Sequence, residues 1–165
     1  MDTILGIPIP FTWPERVASI SALITVLFGI CLLVAPSFSL KLLRLQTLPD
    51  VPGALSEARG TMAGFYLGVG LLALLLQQPL IFAALATGWI FTAFGRFVSM
   101  LLDPKLLGGF NTFNIGSMIF EATLGLAALW PATEMFSGAH PLELLANSFM
   151  AALATLLLAM GLSPV

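Results

Sequence analysis

Residues 12–36 read TWPERVASISALITVLFGICLLVAP, and between Val17 and Ala35 there is no charged side chain. A helix that crosses a hydrocarbon core needs about 20 mostly apolar residues, with ~17–25 the usual range. This run supplies them. Thr12-Trp13-Pro14-Glu15 fits the Ser/Thr-x-x-Asp/Glu capping pattern with a proline in the first turn. Pro36 then ends the segment, because proline lacks the N–H that a continuing helix needs.

Working outward, four further apolar runs follow. One extends from Glu57 or Arg59 to Leu76 and is closed by Gln77-Gln78-Pro79. The next, Leu80 to Leu102, is interrupted by Arg96 and ends at Asp103-Pro104. Another runs from about Phe110 to Trp130, with Glu121 near its middle, and stops at Pro131. The last, Leu144 to Leu162, is apolar on every face except at Asn147, Ser148 and Thr155. An interfacial helix would need a charged face, so this run is also expected to span. The expected fold is an all-α membrane protein, one domain over residues 1–165. Its transmembrane helices are placed at about 15–35, 57–76, 80–102, 110–130 and 144–162.

Composition agrees. Charged residues are 8 % of the chain and apolar ones 59 %, with a mean hydropathy of +1.04, whereas a soluble domain carries about 25 % charge. Between the first two runs, Phe38, Leu42 and Leu45 recur at helical spacing with Lys41 and Arg44 on another face. This predicts a surface helix over about 37–48 whose cations reach lipid phosphates. Met1 to Glu15 has no Lys or Arg and is not expected to be a secretory signal.

With alternating spans, one side receives Lys41, Arg44, Arg59, Arg96 and Lys105, and the other only Arg16 among cations. The positive-inside bias places the first side in the cytoplasm, with the N-terminus outside and the C-terminus cytoplasmic. Trp13 and Trp130 fall at the outer boundary, where aromatic belts form.

Placed on that topology, Glu57, Arg59, Arg96, Asp103 and Glu121 converge in one half of the bilayer. An ionised group there costs several kcal/mol unless it is paired or lines a wet cavity. Small residues at four-residue spacing predict close packing of the second, third and fourth helices. They are Gly60, Gly64 and Gly68, then Gly88 and Gly95 with Ala84, Thr92 and Ser99, then Ser117 and Gly125 around Glu121. The polar cluster has two readings: an ion pair that fixes helix register, or a site for an anionic headgroup, a small ligand or a relayed ion. Trp89 and Tyr66 are expected among core or partner-facing aromatics.

Several chemistries lack their residues. His140, in an outer loop, is the single histidine and Cys31 the single cysteine. No metal centre, haem ligation or nucleophile–base pair is expected, nor any cofactor. There is no phosphate-loop or dinucleotide motif, and no basic stretch for nucleic acid. An enzyme is not the favoured class and no catalytic residue can be assigned. The favoured reading is an accessory or assembly subunit of a membrane complex, acting through helix packing with other subunits or with itself. The alternatives are a small oligomeric carrier or channel with an Arg/Glu pocket, and a lipid-handling membrane enzyme.

The ordered set Glu57-x-Arg59-Gly60, Gly64-x-x-x-Gly68-x-Gly70, Gly95-Arg96-x-x-Ser99-x-x-x-Asp103 and Glu121 resembles the DUF4345 family over roughly Ala18 to Trp130. The resemblance implies a small bacterial inner-membrane protein of about four spans with no assigned activity. The chain departs from the pattern at Pro104, where glycine often follows the aspartate, and in the extra run 144–162.

Overall fold

A computed structural model describes residues 3–4, 7–8, 10, 12–48, 53–102 and 110–133. Among them the fold is helical apart from a two-residue antiparallel pairing of Thr3–Ile4 (β1) with Ile7–Pro8 (β2). Four helices are long and apolar enough to cross a membrane. The fifth apolar run, 144–162, lies outside the described residues, as do Asp103, Lys105 and His140.

The first spanning helix, α1 (Trp13–Val34), starts as the capping pattern predicts. Glu15 N–H donates to Thr12 Oγ1 at 3.4 Å, and Thr12 N–H donates to Glu15 Oε2 at 3.0 Å. Pro36 opens a short helix, α2 (Pro36–Leu42). It is shorter than the 37–48 segment expected, because Arg44 takes a left-handed conformation, φ 59°, and turns the chain out of the helix.

The second spanning helix, α3 (Ala54–Leu76), contains a π-type turn over Ala58–Met62. It ends at Gln77, again left-handed with φ 49°. The Gln77 side chain stabilises that cap: its Nε2 donates to Leu74 C=O at 3.0 Å and its Oε1 accepts from Ser19 Oγ at 3.1 Å. The third is α4 (Pro79–Leu102). The fourth, α5 (Thr112–Leu129), is capped by Asn111, whose Oδ1 accepts from Asn114 N–H at 2.9 Å, and ends in a 3₁₀ turn at Trp130–Ala132.

The helices associate mainly as two pairs, α1 with α3 and α4 with α5, joined by α1 against α5. Of the glycines that the spacing suggests, Gly125 lets two helices approach closely, and Gly29 and Gly70 act with it. A Cβ on Gly29 would lie 2.7 Å from Leu67 Cγ, and one on Gly70 would lie 2.8 Å from Val26 Cγ2. One on Gly125 would lie 2.7 Å from Ile90 Cγ1 and 3.1 Å from Ala86 O. Gly60, Gly64, Gly68, Gly88 and Gly95 face open space, so they do not pack the second, third and fourth spans together. For those five glycines the expectation is corrected: α4 and α5 pack together through Gly125, while α3 uses its Gly70 face against α1 and leaves Gly60, Gly64 and Gly68 uncovered.

Buried alanines line the seams, including Ala18, Ala22, Ala73, Ala86 and Ala128. Across them runs a hydrogen-bonded chain. Trp89 Nε1 donates to Thr25 Oγ1 at 2.9 Å, Thr25 Oγ1 donates to Ser21 C=O at 2.8 Å, and Ser21 Oγ donates to Leu124 C=O at 2.9 Å. In hydrocarbon no water competes for these groups, so the chain ties α4, α1 and α5 directionally where apolar contact alone would not. Phe28, Tyr66, Trp89 and Phe120 stack around it at centroid separations of 5.6–6.4 Å.

Candidate functional site

Of the five charged residues expected in one half of the bilayer, Asp103 lies outside the described residues, and the structure brings two of the other four together. Arg96 on α4 meets Glu121 on α5 side-on: Nε lies 3.0 Å from Oε2 and 3.2 Å from Oε1, and Nη2 lies 2.5 Å from Oε1. The Glu121 side chain is 7 % exposed and that of Arg96 25 %. The carboxylate is therefore enclosed and the guanidinium keeps one edge open. The two-pronged geometry suits arginine, whose planar fork matches a carboxylate.

Glu57 and Arg59 are engaged elsewhere. Glu57 is exposed and accepts a hydrogen bond from the Thr61 hydroxyl one turn along. Arg59 Nε donates to Leu33 C=O at 3.1 Å. That carbonyl belongs to the last turn of α1, whose final four have no partner within the helix. Arg59 thus caps α1, consistent with the pairing of α3 with α1 rather than with α4.

Beside the ion pair lies a cavity of about 340 Å³ lined by Arg44, Thr92, Arg96, Ser99, Asn111, Phe113 and Asn114, with Leu43 and Leu45. It gathers the segment after α2, the last turns of α4 and the first turn of α5. Arg44 Cζ sits 4.0 Å from the Phe113 ring centroid, a cation–π contact. Lys41 is not part of this cavity; it lines a separate one with Ser37, Gln46 and Thr47.

The sequence by itself places Arg44 with Lys41 on the polar face of a surface helix, reaching lipid phosphates, and does not single out Asn111, Phe113 or Asn114. The Asn111 cap on α5, which accepts from Asn114 N–H, is seen only in the structure. Arg44 arrives there because of its left-handed turn, which helical spacing cannot anticipate.

Among the described residues, no three His, Cys, Asp or Glu side chains gather as a metal site would require. Cys31 is exposed. The cavity offers two guanidinium groups, amides and hydroxyls. Such a set can hold and orient an anion; it supplies no nucleophile–base pair for covalent chemistry.

The model of one family, described as Domain of unknown function (DUF4345), matches residues 16–132. Those residues hold all four spanning helices, the Arg96–Glu121 pair and the cavity. No curated protein and no solved structure matches the chain.

Proposed function

The chain belongs to the DUF4345 family, for which no activity is assigned, and from its helix surfaces we propose that it acts as a packing subunit of a membrane assembly. One observation carries this reading. The span of α3 has only 17 % of its residues buried within the unit, against 39 % for α1, 33 % for α4 and 28 % for α5. The uncovered side of α3 bears Gly60, Gly64 and Gly68, none with an atom near its Cβ position, along a groove flanked by Phe65 and Leu72.

Lipid tails are as apolar as leucine, so a helix gains little by merely leaving them. Close backbone approach is what favours association, and a glycine face with no partner inside the chain offers that approach to a helix from outside it. The occupant we assign is a transmembrane helix of another subunit. Gly29, Gly70 and Gly125 show the same device used up within the chain.

The bacterial cytoplasmic membrane is the proposed location, with the α2 and α4–α5 ends on the cytoplasmic side. Lys41, Arg44, Arg59 and Arg96 at those ends, against Arg16 at the other, support that orientation.

The test is native mass spectrometry on the protein drawn from its own membranes in mild detergent, beside a Gly64→Leu variant. Recovery with other membrane subunits, lost in Gly64→Leu, supports the proposal. Recovery of both forms as a lone monomer sinks it. A homo-oligomer would replace the assembly role with self-association.

A further inference from the structure

We propose that the cavity between the α2 turn, the end of α4 and the start of α5 binds a phosphate group, the chemistry shared by a phospholipid headgroup and a free phosphate. This is independent of the packing role, since it uses a different face of the molecule.

Charge is the first ground. Arg44 and Arg96 both line the cavity, while Glu121 is the one carboxylate paired with either among the described residues. The balance of these three groups is one net positive charge beside a half-open cavity. Arg96 spends its Nε and an Nη2 N–H on Glu121, and its Nη1 makes no hydrogen bond among the described residues. Those remaining donors lie on the guanidinium's open edge.

Placement of Arg44 is the second ground. Leu45 N–H donates to Leu40 C=O at 2.8 Å and Arg44 N–H donates to Lys41 C=O at 3.0 Å. These two bonds form a Schellman cap on α2, with Arg44 at the left-handed position that glycine normally fills. A side chain there costs about 1–2 kcal/mol relative to its ordinary backbone region. The turn brings the guanidinium carbon over the Phe113 ring, 4.0 Å from its centroid. A cation–π contact of this kind holds the group in place, and its N–H donors are not consumed by the ring.

The surroundings are the third. Asn111, Phe113 and Asn114, at the start of the 18-residue helix α5, line the same space, and the N-terminal end of a helix carries a partial positive charge. Two arginine forks from different elements can address more oxygens than one carboxylate presents, which favours the three or more of a phosphate. About 340 Å³ lies within the range of small-ligand sites, roughly 300–1,000 Å³.

The experiment titrates the full chain in mild detergent with inorganic phosphate and, separately, with dihexanoyl phosphatidic acid, counting retained ligand by native mass spectrometry. Dihexanoylglycerol, which lacks the phosphate, is the control. Arg44→Gly suits the test because the Schellman position prefers glycine, so the fold is kept. Arg44→Lys keeps the charge without the fork. Saturable binding of a phosphate-bearing probe is expected, weakened about tenfold or more in Arg44→Gly, the weight of one hydrogen bond between charged partners. Arg44→Lys should fall between. Retention of inorganic phosphate identifies a free-phosphate site, and retention of phosphatidic acid alone identifies a headgroup site. Binding of neither probe, or equal binding by wild type and Arg44→Gly, overturns the proposal, as does equal retention of dihexanoylglycerol.

Discussion

Arg96 and Glu121 form a side-on ion pair across the α4–α5 seam, with the carboxylate almost wholly enclosed and the guanidinium open on one edge. Removing either partner strands the other. Glu121→Leu or Arg96→Met is expected to destabilise the protein by ~3–5 kcal/mol, while the double replacement recovers most of the loss. Unfolding in mixed detergent micelles, run as a double-mutant cycle, reads this directly. A loss in the double variant equal to the sum of the two single losses would show that the pair does not act as a unit.

The glycines divide into two classes with opposite outcomes. Gly125→Ala must push Ile90 and the Ala86 carbonyl away from α5, and overpacking of that kind costs about 1–3 kcal/mol. Gly95→Ala meets nothing within 4 Å, and a helix interior gains up to about 1 kcal/mol from alanine over glycine. Comparison of the two unfolding midpoints checks the assignment; a loss in Gly95→Ala would mean that its face is in use.

Thr25 accepts the Trp89 indole N–H within the bundle. Thr25→Val is close in shape but leaves that donor unpaired, at a cost of about 1–3 kcal/mol. Adding Trp89→Phe removes the donor and is expected to add less to the loss in the Thr25→Val background than in the wild type. Stability measurements on the four-member cycle settle the coupling.

Arg44→Gly is expected to raise stability by about 1 kcal/mol, because it relieves a left-handed arginine, while weakening phosphate retention. A variant both more stable and worse at binding would mark Arg44 as a functional residue held under strain. A loss of stability instead would mean that the Phe113 contact outweighs the backbone cost.

How much was readable beforehand follows the physics of each feature. The helix start at Thr12 depends on a neighbour three residues away, and the stop before Pro36 on the missing proline N–H; such signals lie in the chain itself. Arg96 and Glu121 were recognisable because a charge inside an apolar run must find a partner. That an arginine would pair with a carboxylate could be anticipated; that Arg96 would choose Glu121 could not, nor could the diversion of Glu57 to Thr61 and Arg59 to Leu33. Each found a local or terminal partner that is as common along the chain as the charges are rare.

By itself the sequence determined that this is a bundle of spanning helices, because length and hydropathy suffice to exclude water as the solvent. Only the tertiary structure decided which face meets which. In a bilayer both lipid and the protein interior are apolar, so polarity does not separate inside from outside as it does in water. Gly64 and Gly70 look alike along the chain, yet one faces open space and the other lies against Val26. The cavity arises the same way: a left-handed Arg44, the open edge of Arg96 and the first turn of α5 become one site only after the helices have chosen their partners.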